Sequence, residues 1–103
     1  MGRDLNSDTI ADLRHAIDIV DTKLFVLLEQ RFDLATRIAP LKIDPQAIED
    51  VDRSREIFDR IAALAARTGI DSVDAVEIWR AILRASLSCQ RNFLVRSQSG
   101  SNE

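Results

Sequence analysis

The sequence predicts an all-α protein of three helices, with one very long first helix, that assembles as an intertwined homodimer. Apolar residues recur at alternating steps of three and four, the spacing of amphipathic helices. Only three glycines and two prolines interrupt the 103 residues, so the elements should be few and long. No stretch alternates apolar and polar residues with the period of two that a strand requires.

The first predicted helix begins near Ser7 or Asp8, because both residue types cap helix N-termini well. It should end or bend close to Lys42, since Pro40 cannot continue a regular helix. Arg31 takes one position of its seam, where another leucine would be expected. The apolar members of that seam are Ile10, Leu13, Ile17, Val20, Leu24, Leu27, Leu34, Ile38 and Leu41.

The second predicted helix opens at Asp44–Pro45 or just after it, and the third is capped by Asp71 or Ser72. Residues 8–96 then form one helical domain, while 1–7 and 97–103 are polar and expected to be flexible. The apolar stripe of the second helix comprises Val51, Ile57, Phe58, Ile61, Leu64 and Ala65. The third helix continues the same rhythm with Val76, Trp79, Leu83, Ser86, Gln90 and Phe93.

The length of the first helix predicts the homodimer. A helix of roughly 33 residues is about 50 Å long. A compact monomer of this size has a radius of gyration of only about 13 Å, so much of the apolar seam would be exposed. A second copy that packs along the helix removes this seam from water.

Composition excludes several classes of function. A net charge of −3 does not suit a nucleic-acid partner, and the single Cys89 cannot form an internal disulfide. One histidine and one cysteine make no recognisable metal site, so neither metal nor cofactor is predicted. No apolar run reaches membrane length and the N-terminal residues lack a signal-peptide pattern, which predicts a cytoplasmic protein without a membrane partner.

Polar side chains interrupt the apolar seams and indicate a binding site. Arg31 lies in the first seam and Lys42 shares its face. Ser86 and Gln90 are one turn apart in the third helix, and Arg53 extends the second stripe. Each residue alone has a structural explanation: a buried ion pair, a snorkelling chain end or a residue that fixes helix register. Together they place several cations on inward faces without matching acids, which predicts a small polycarboxylate ligand.

The catalytic options are few. A single histidine allows no Ser-His-Asp or Cys-His arrangement, and no glycine-rich phosphate loop is present. If the chain is an enzyme, it must act through preorganised electrostatics and substrate shape.

Three runs together carry a family resemblance: LRHAIDIVDTKLFVLLEQR, then DVDRSREIFDRI, then SLSCQ. In order and spacing they resemble the all-helical chorismate mutases over residues 8–94, nearly the whole chain. The resemblance implies an intertwined dimer of three-helix subunits and an isomerase of the shikimate pathway of aromatic amino acid biosynthesis. Its reaction is the pericyclic rearrangement of chorismate to prephenate, which needs no cofactor and no covalent intermediate.

The resemblance implies that three arginines bind the substrate carboxylates. Arg31 and Arg53 match arginines contributed by the same subunit, and Arg14 matches one donated by the partner. Spacing agrees, because Arg14 precedes Lys42 by 28 residues, about 42 Å along a straight helix. One chain therefore cannot bring both residues to one small ligand.

Lys42 and Gln90 match the two catalytic residues of the family, which lie at the ether oxygen of the substrate. There they would donate hydrogen bonds as negative charge grows during C–O cleavage. Ser86 matches a serine beside the carboxylate site.

One position departs from the family pattern. After Arg53 the mutases commonly have a glutamate that holds the ring hydroxyl, whereas this chain has Ser54. An alignment that uses Arg55 and Glu56 restores the pair but misplaces the following apolar residues. Ser54 can still hydrogen-bond a hydroxyl, directly or through water.

Two alternative functions remain open at this point. Isochorismate-pyruvate lyases, which form salicylate, resemble the mutases closely and need not keep that glutamate, although Ser86 fits the mutase pattern better. A helical dimer without catalysis, which regulates another enzyme of the same pathway, would use the same cations to bind an anion.

Overall fold

The computed structural model describes residues 8–42 and 50–101, the last four by backbone alone. These residues form α1 (Ile10–Ile38), a 3₁₀ turn (Ala39–Leu41), α2 (Val51–Ala66) and α3 (Ser72–Ser101), without a strand among them. The predicted all-α class, the three helices and the long first helix are confirmed. Helix α3, with 30 residues, is as long as α1, with 29. Within the described ranges no helix is both long and apolar enough to cross a membrane.

Helix α1 begins at Ile10, close to the predicted start near Ser7 or Asp8, and Thr9 caps it. The Thr9 hydroxyl accepts a hydrogen bond from the Asp12 N–H (3.1 Å), and the Asp12 carboxylate accepts one from the Thr9 N–H (3.2 Å). This reciprocal pair satisfies two N–H groups that the first turn leaves without helical partners.

The end of α1 follows from Pro40. A residue that precedes proline is disfavoured in the α region, and proline has no N–H to donate to the preceding turn. Helix α1 accordingly ends at Ile38, and the chain tightens into the 3₁₀ turn before Lys42 adopts an extended conformation with φ −67° and ψ 145°. The predicted end of the first helix close to Lys42 is confirmed.

Aspartates cap the two later helices. The Asp50 carboxylate accepts a hydrogen bond from an N–H of the first turn of α2 (3.0 Å). Asp71 accepts from the N–H groups of Val73 (2.9 Å) and Asp74 (3.1 Å), which confirms one of the two predicted caps of α3. The predicted helix start at Asp44–Pro45 lies outside the described residues.

The core lies between α2 and α3, which pack against each other. Most of its members belong to the stripes predicted for these helices, but Ala75 does not. Val51 and Leu64, which were predicted in the second stripe, are exposed. The core consists of Ile57, Ile61, Ala65 and Ala75, with Trp79 and Leu83 packed against it.

The chain divides into two units, Met1–Arg31 and Phe32–Glu103. No residue of α1 is buried. Leu24 and Leu27, near the middle of its seam, are 52% and 58% exposed. The apolar seam of α1 thus has no buried member.

Candidate active site

Gln90 is a polar residue of α3 that is almost completely shielded from solvent. It is 6% exposed. Its Nε2 donates a hydrogen bond of 2.8 Å to the carbonyl oxygen of Ala35. Ala35 lies in the last turn of α1, where carbonyls have no N–H partner within the helix. This one hydrogen bond fixes the Gln90 side chain and gives a partner to a carbonyl at the end of α1.

Lys42 approaches the same amide from the other side. It follows the 3₁₀ turn, and its Nζ donates to the Oε1 of Gln90 at 3.4 Å. An ammonium can only donate and a backbone carbonyl can only accept, so the two partners together determine which way the Gln90 amide points. The predicted convergence of Lys42 and Gln90 is therefore present in the structure, although 48 residues separate them along the chain.

The pair offers hydrogen-bond donors and positive charge. The Gln90 amide carries a second N–H besides the one given to Ala35. Lys42 contributes a full charge beside it, in a half-buried setting where electrostatic interactions are stronger than in water. This arrangement suits an oxygen atom that becomes negative during a reaction.

Ser86 lies one turn before Gln90 on α3 and is 7% exposed. Both residues are buried, so the prediction that they share the inward face of the third helix is confirmed. The Ser86 hydroxyl donates to the carbonyl of Ile82 at 3.0 Å, within the same helix. To donate a hydrogen bond to a ligand, this hydroxyl would have to rotate.

Arg53 and Ser54 lie in the first turn of α2. The Arg53 guanidinium contacts the Glu56 carboxylate at 3.9 Å, and the two side chains are 55% and 69% exposed. An exposed pair at this distance contributes little, so Glu56 does not compete strongly with a ligand carboxylate. Ser54 is half-buried, and its N–H makes the helical bond to the carbonyl of Asp50 at 3.0 Å.

Arg14 and Arg31 both lie on α1, in the unit that ends at Arg31. Arg14 is exposed and Arg31 is half-buried. Their participation in a site with Lys42 and Gln90 stays a prediction from the sequence. Among the residues that the structure describes, no group of three or more His, Cys, Asp or Glu side chains could hold a metal ion.

Two contributions to the site were not found from the sequence. One is the Ala35 carbonyl that orients Gln90, and the other is Ala39, whose 1% exposure makes it the most buried residue described. Pro40 did signal a helix end with carbonyls in need of partners. The sequence does not show which side chain, more than 50 residues away, provides that partner.

Three helices, with a half-buried Lys42 beside a buried Gln90, define an all-α protein whose polar site lies between the end of α1 and α3. The family model described as chorismate mutase type II matches residues 13–91. The chain therefore belongs to the chorismate mutase type II family. The resemblance predicted from the sequence is confirmed.

Individual relatives agree with the family. A chorismate mutase of Methanocaldococcus jannaschii is 27% identical over 93 residues, which cover 89% of this chain and 94% of the relative. A bifunctional chorismate mutase/prephenate dehydratase of Aquifex aeolicus is 34% identical over 92 residues, 85% of this chain. The corresponding bifunctional protein of Escherichia coli is 28% identical over 83 residues, 80% of this chain. The chain spans 25% and 22% of these two bifunctional relatives.

Proposed function

We propose that Lys42 and Gln90 catalyse the chorismate mutase reaction of this chain, the rearrangement of chorismate to prephenate. The observation that carries the proposal is the contact of the Lys42 ammonium with a Gln90 amide held in place by the Ala35 carbonyl. The ether C–O bond of chorismate breaks in this reaction and its oxygen gains negative charge. Donors that are already oriented toward that oxygen stabilise the transition state more than the substrate, which raises kcat.

The bond-breaking step needs no reactive group from the protein beyond these hydrogen-bond donors. The rearrangement is intramolecular, so no nucleophile, proton transfer or metal ion takes part. What the protein must supply is the compact conformer in which the two bonding carbons lie close together. Arginines that grip both carboxylates would select that conformer, because a guanidinium binds a carboxylate through two parallel hydrogen bonds.

Arg53 is our candidate for one of these carboxylate contacts within the subunit. Its side chain is 55% exposed, and Glu56, the acidic residue that it contacts in the described part of the chain, lies at the limit of ion-pair distance. Arg31 is proposed to bind within the same subunit and Arg14 across the dimer. Ser54 and Ser86 are proposed to contact the ring hydroxyl and a carboxylate, respectively.

Arg53→Ala is expected to raise KM for chorismate by about 10- to 100-fold, since a hydrogen bond to a charged group contributes about 1.5–3 kcal/mol. The matched control is Arg55→Ala, which removes the same side chain two residues later in the same helical turn. Steady-state kinetics that follow the loss of chorismate absorbance measure both variants. A larger effect at Arg55 would support the alternative alignment, in which Arg55 and Glu56 serve the substrate.

The homodimer is proposed from the exposed α1 seam. The described core contains four buried apolar residues, while Leu24 and Leu27 are more than half exposed. A second copy would cover the seam and bring its Arg14 to the site. We also propose, from the sequence alone, that the protein is cytoplasmic.

A direct assay tests the function against its alternatives. Purified protein is supplied with chorismate and, separately, with isochorismate, and the products are followed as prephenate and as salicylate fluorescence. Prephenate formation that exceeds the uncatalysed rate supports the mutase. Salicylate alone would assign the lyase reaction, which the departure at Ser54 allows. Turnover of neither substrate would favour a regulatory helical dimer.

A further inference from the structure

The 3₁₀ turn between α1 and Lys42 has one buried residue, Ala39, which is 1% exposed. Its neighbours face water: Pro40 is exposed and Leu41 is 81% exposed. The turn packs against α3, the helix that carries Gln90. The methyl group of Ala39 is thus the part of the turn that lies in the protein interior, where a larger side chain would meet resistance.

Lys42 is tied closely to Ala39. The Lys42 N–H donates to the Ala39 carbonyl at 3.4 Å, which closes the turn. Only Pro40 and Leu41 lie between them, and the proline ring fixes one of the two backbone dihedrals of its residue. A displacement of Ala39 is therefore passed to the backbone from which the Lys42 side chain starts.

Gln90 is carried by α3, so its backbone is not part of the turn. Gln90 is anchored to Ala35 by a hydrogen bond of 2.8 Å, whereas Lys42 reaches its Oε1 at 3.4 Å. The longer bond is already near the limit of a hydrogen bond, and such bonds weaken quickly with distance. A small outward shift of the turn would therefore break the contact of Lys42 with Gln90 before it breaks the bond of Gln90 to Ala35.

We propose that Ala39 is a positioning residue for the Lys42–Gln90 pair, because only a side chain as small as methyl lets the turn approach α3 closely enough. The proposal rests on the proposed function for its effect on catalysis. It does not make Ala39 a catalytic residue, since its methyl group need not touch the substrate. The proposal is that the site requires a small side chain at position 39, in addition to the polar residues already named.

The kinetic test replaces Ala39 with valine. We expect kcat for chorismate to fall at least tenfold while KM changes less than threefold, because the pair acts on the transition state and the arginines bind the carboxylates. Ala39→Gly adds no bulk, so it is expected to lose less activity than Ala39→Val. The matched control is Ala65→Val, which adds the same two methyl groups to a buried alanine of the α2–α3 core, 4% exposed.

Ala65→Val is expected to lower the melting temperature but to keep kcat within about twofold of the unmodified chain, per folded molecule. An equal loss of kcat in Ala65→Val and Ala39→Val would overturn the proposal, since the effect would then be general destabilisation. Unchanged kcat in Ala39→Val would also overturn it.

A second measurement separates this proposal from the proposed function. The side-chain amide of Gln90 gives a pair of ¹H–¹⁵N resonances, assigned by their absence in Gln90→Leu. We expect Ala39→Val to shift these resonances and Ala65→Val to leave them in place. This result does not depend on turnover. Failure of the unmodified protein to convert chorismate would refute the proposed function, while unshifted Gln90 resonances in Ala39→Val would refute the positioning role.

Discussion

Replacing Lys42 with methionine is expected to lower kcat for chorismate by about 10³-fold or more. Removal of one donor from an oxyanion site typically costs about 10²–10³-fold in kcat, and Lys42 carries a full charge in addition. Methionine keeps the length of the side chain and removes the ammonium. KM should change much less, because the contacts proposed to bind the carboxylates remain. Steady-state kinetics over a range of chorismate concentrations measure both quantities.

The control is Lys23→Met, which makes the same change at the other lysine of the chain. Lys23 is exposed on α1, and its removal is expected to leave kcat unchanged. Lys42→Met also deprives Gln90 Oε1 of a donor, at a cost of about 1–3 kcal/mol in the free energy of unfolding. Circular dichroism and thermal melting must therefore establish that the variant is folded. A folded Lys42→Met protein with normal kcat would rule out the pair as the catalytic group.

Replacing Leu27 with glutamate is expected to abolish the proposed dimer. Leu27 lies in the α1 seam and is 58% exposed in the single chain. Burial of a leucine contributes about 1.5–3 kcal/mol, and two-fold symmetry places the substitution in the interface twice. The loss of about 3–6 kcal/mol corresponds to a rise of roughly 10²- to 10⁴-fold in the dimer dissociation constant. Analytical ultracentrifugation over a range of concentrations measures this shift.

Ile70→Glu is the matched control for Leu27→Glu. Ile70 is also 58% exposed but lies in the turn between α2 and α3. If exposure in the chain were the only factor, the two variants would behave alike. We expect Ile70→Glu to remain dimeric and active, and Leu27→Glu to lose both properties together, since the site would lack the partner's Arg14. A Leu27→Glu protein that stays dimeric would place the interface elsewhere.

The helices and their class were predictable because their signals are local. The three-and-four spacing of apolar residues, the aspartate before α3 and the proline after α1 each act within a turn or two of the chain. The start of α1 was predicted closely, but its capping residue, Thr9, was not identified. Thr9 and Asp12 satisfy each other across one turn, and a choice of cap by residue type alone overlooked that reciprocity.

Of the candidate site, the sequence predicted only which polar residues belong to it. Arg31, Arg53, Ser86 and Gln90 stood out because they interrupt apolar seams, and Lys42 because it shares the face of Arg31. Ser86 and Gln90 are buried and Lys42 contacts Gln90, as that reasoning expected. The inward placement of Arg53 was wrong, because its side chain is 55% exposed and contacts Glu56. Ala39 could not stand out in this way, because an alanine in a helical sequence gives no sign of how closely its surroundings pack.

The sequence by itself determined three helices, their polar interruptions and the membership of the chain in a family. These properties depend on residue types at short, regular spacings. Only the tertiary structure decided which groups meet. Gln90 donates a hydrogen bond to the Ala35 carbonyl at the end of α1, and Lys42, which follows the 3₁₀ turn, donates to the same Gln90 amide. Such contacts join residues about 50 positions apart. They are set by how helices end and pack, which no local pattern encodes.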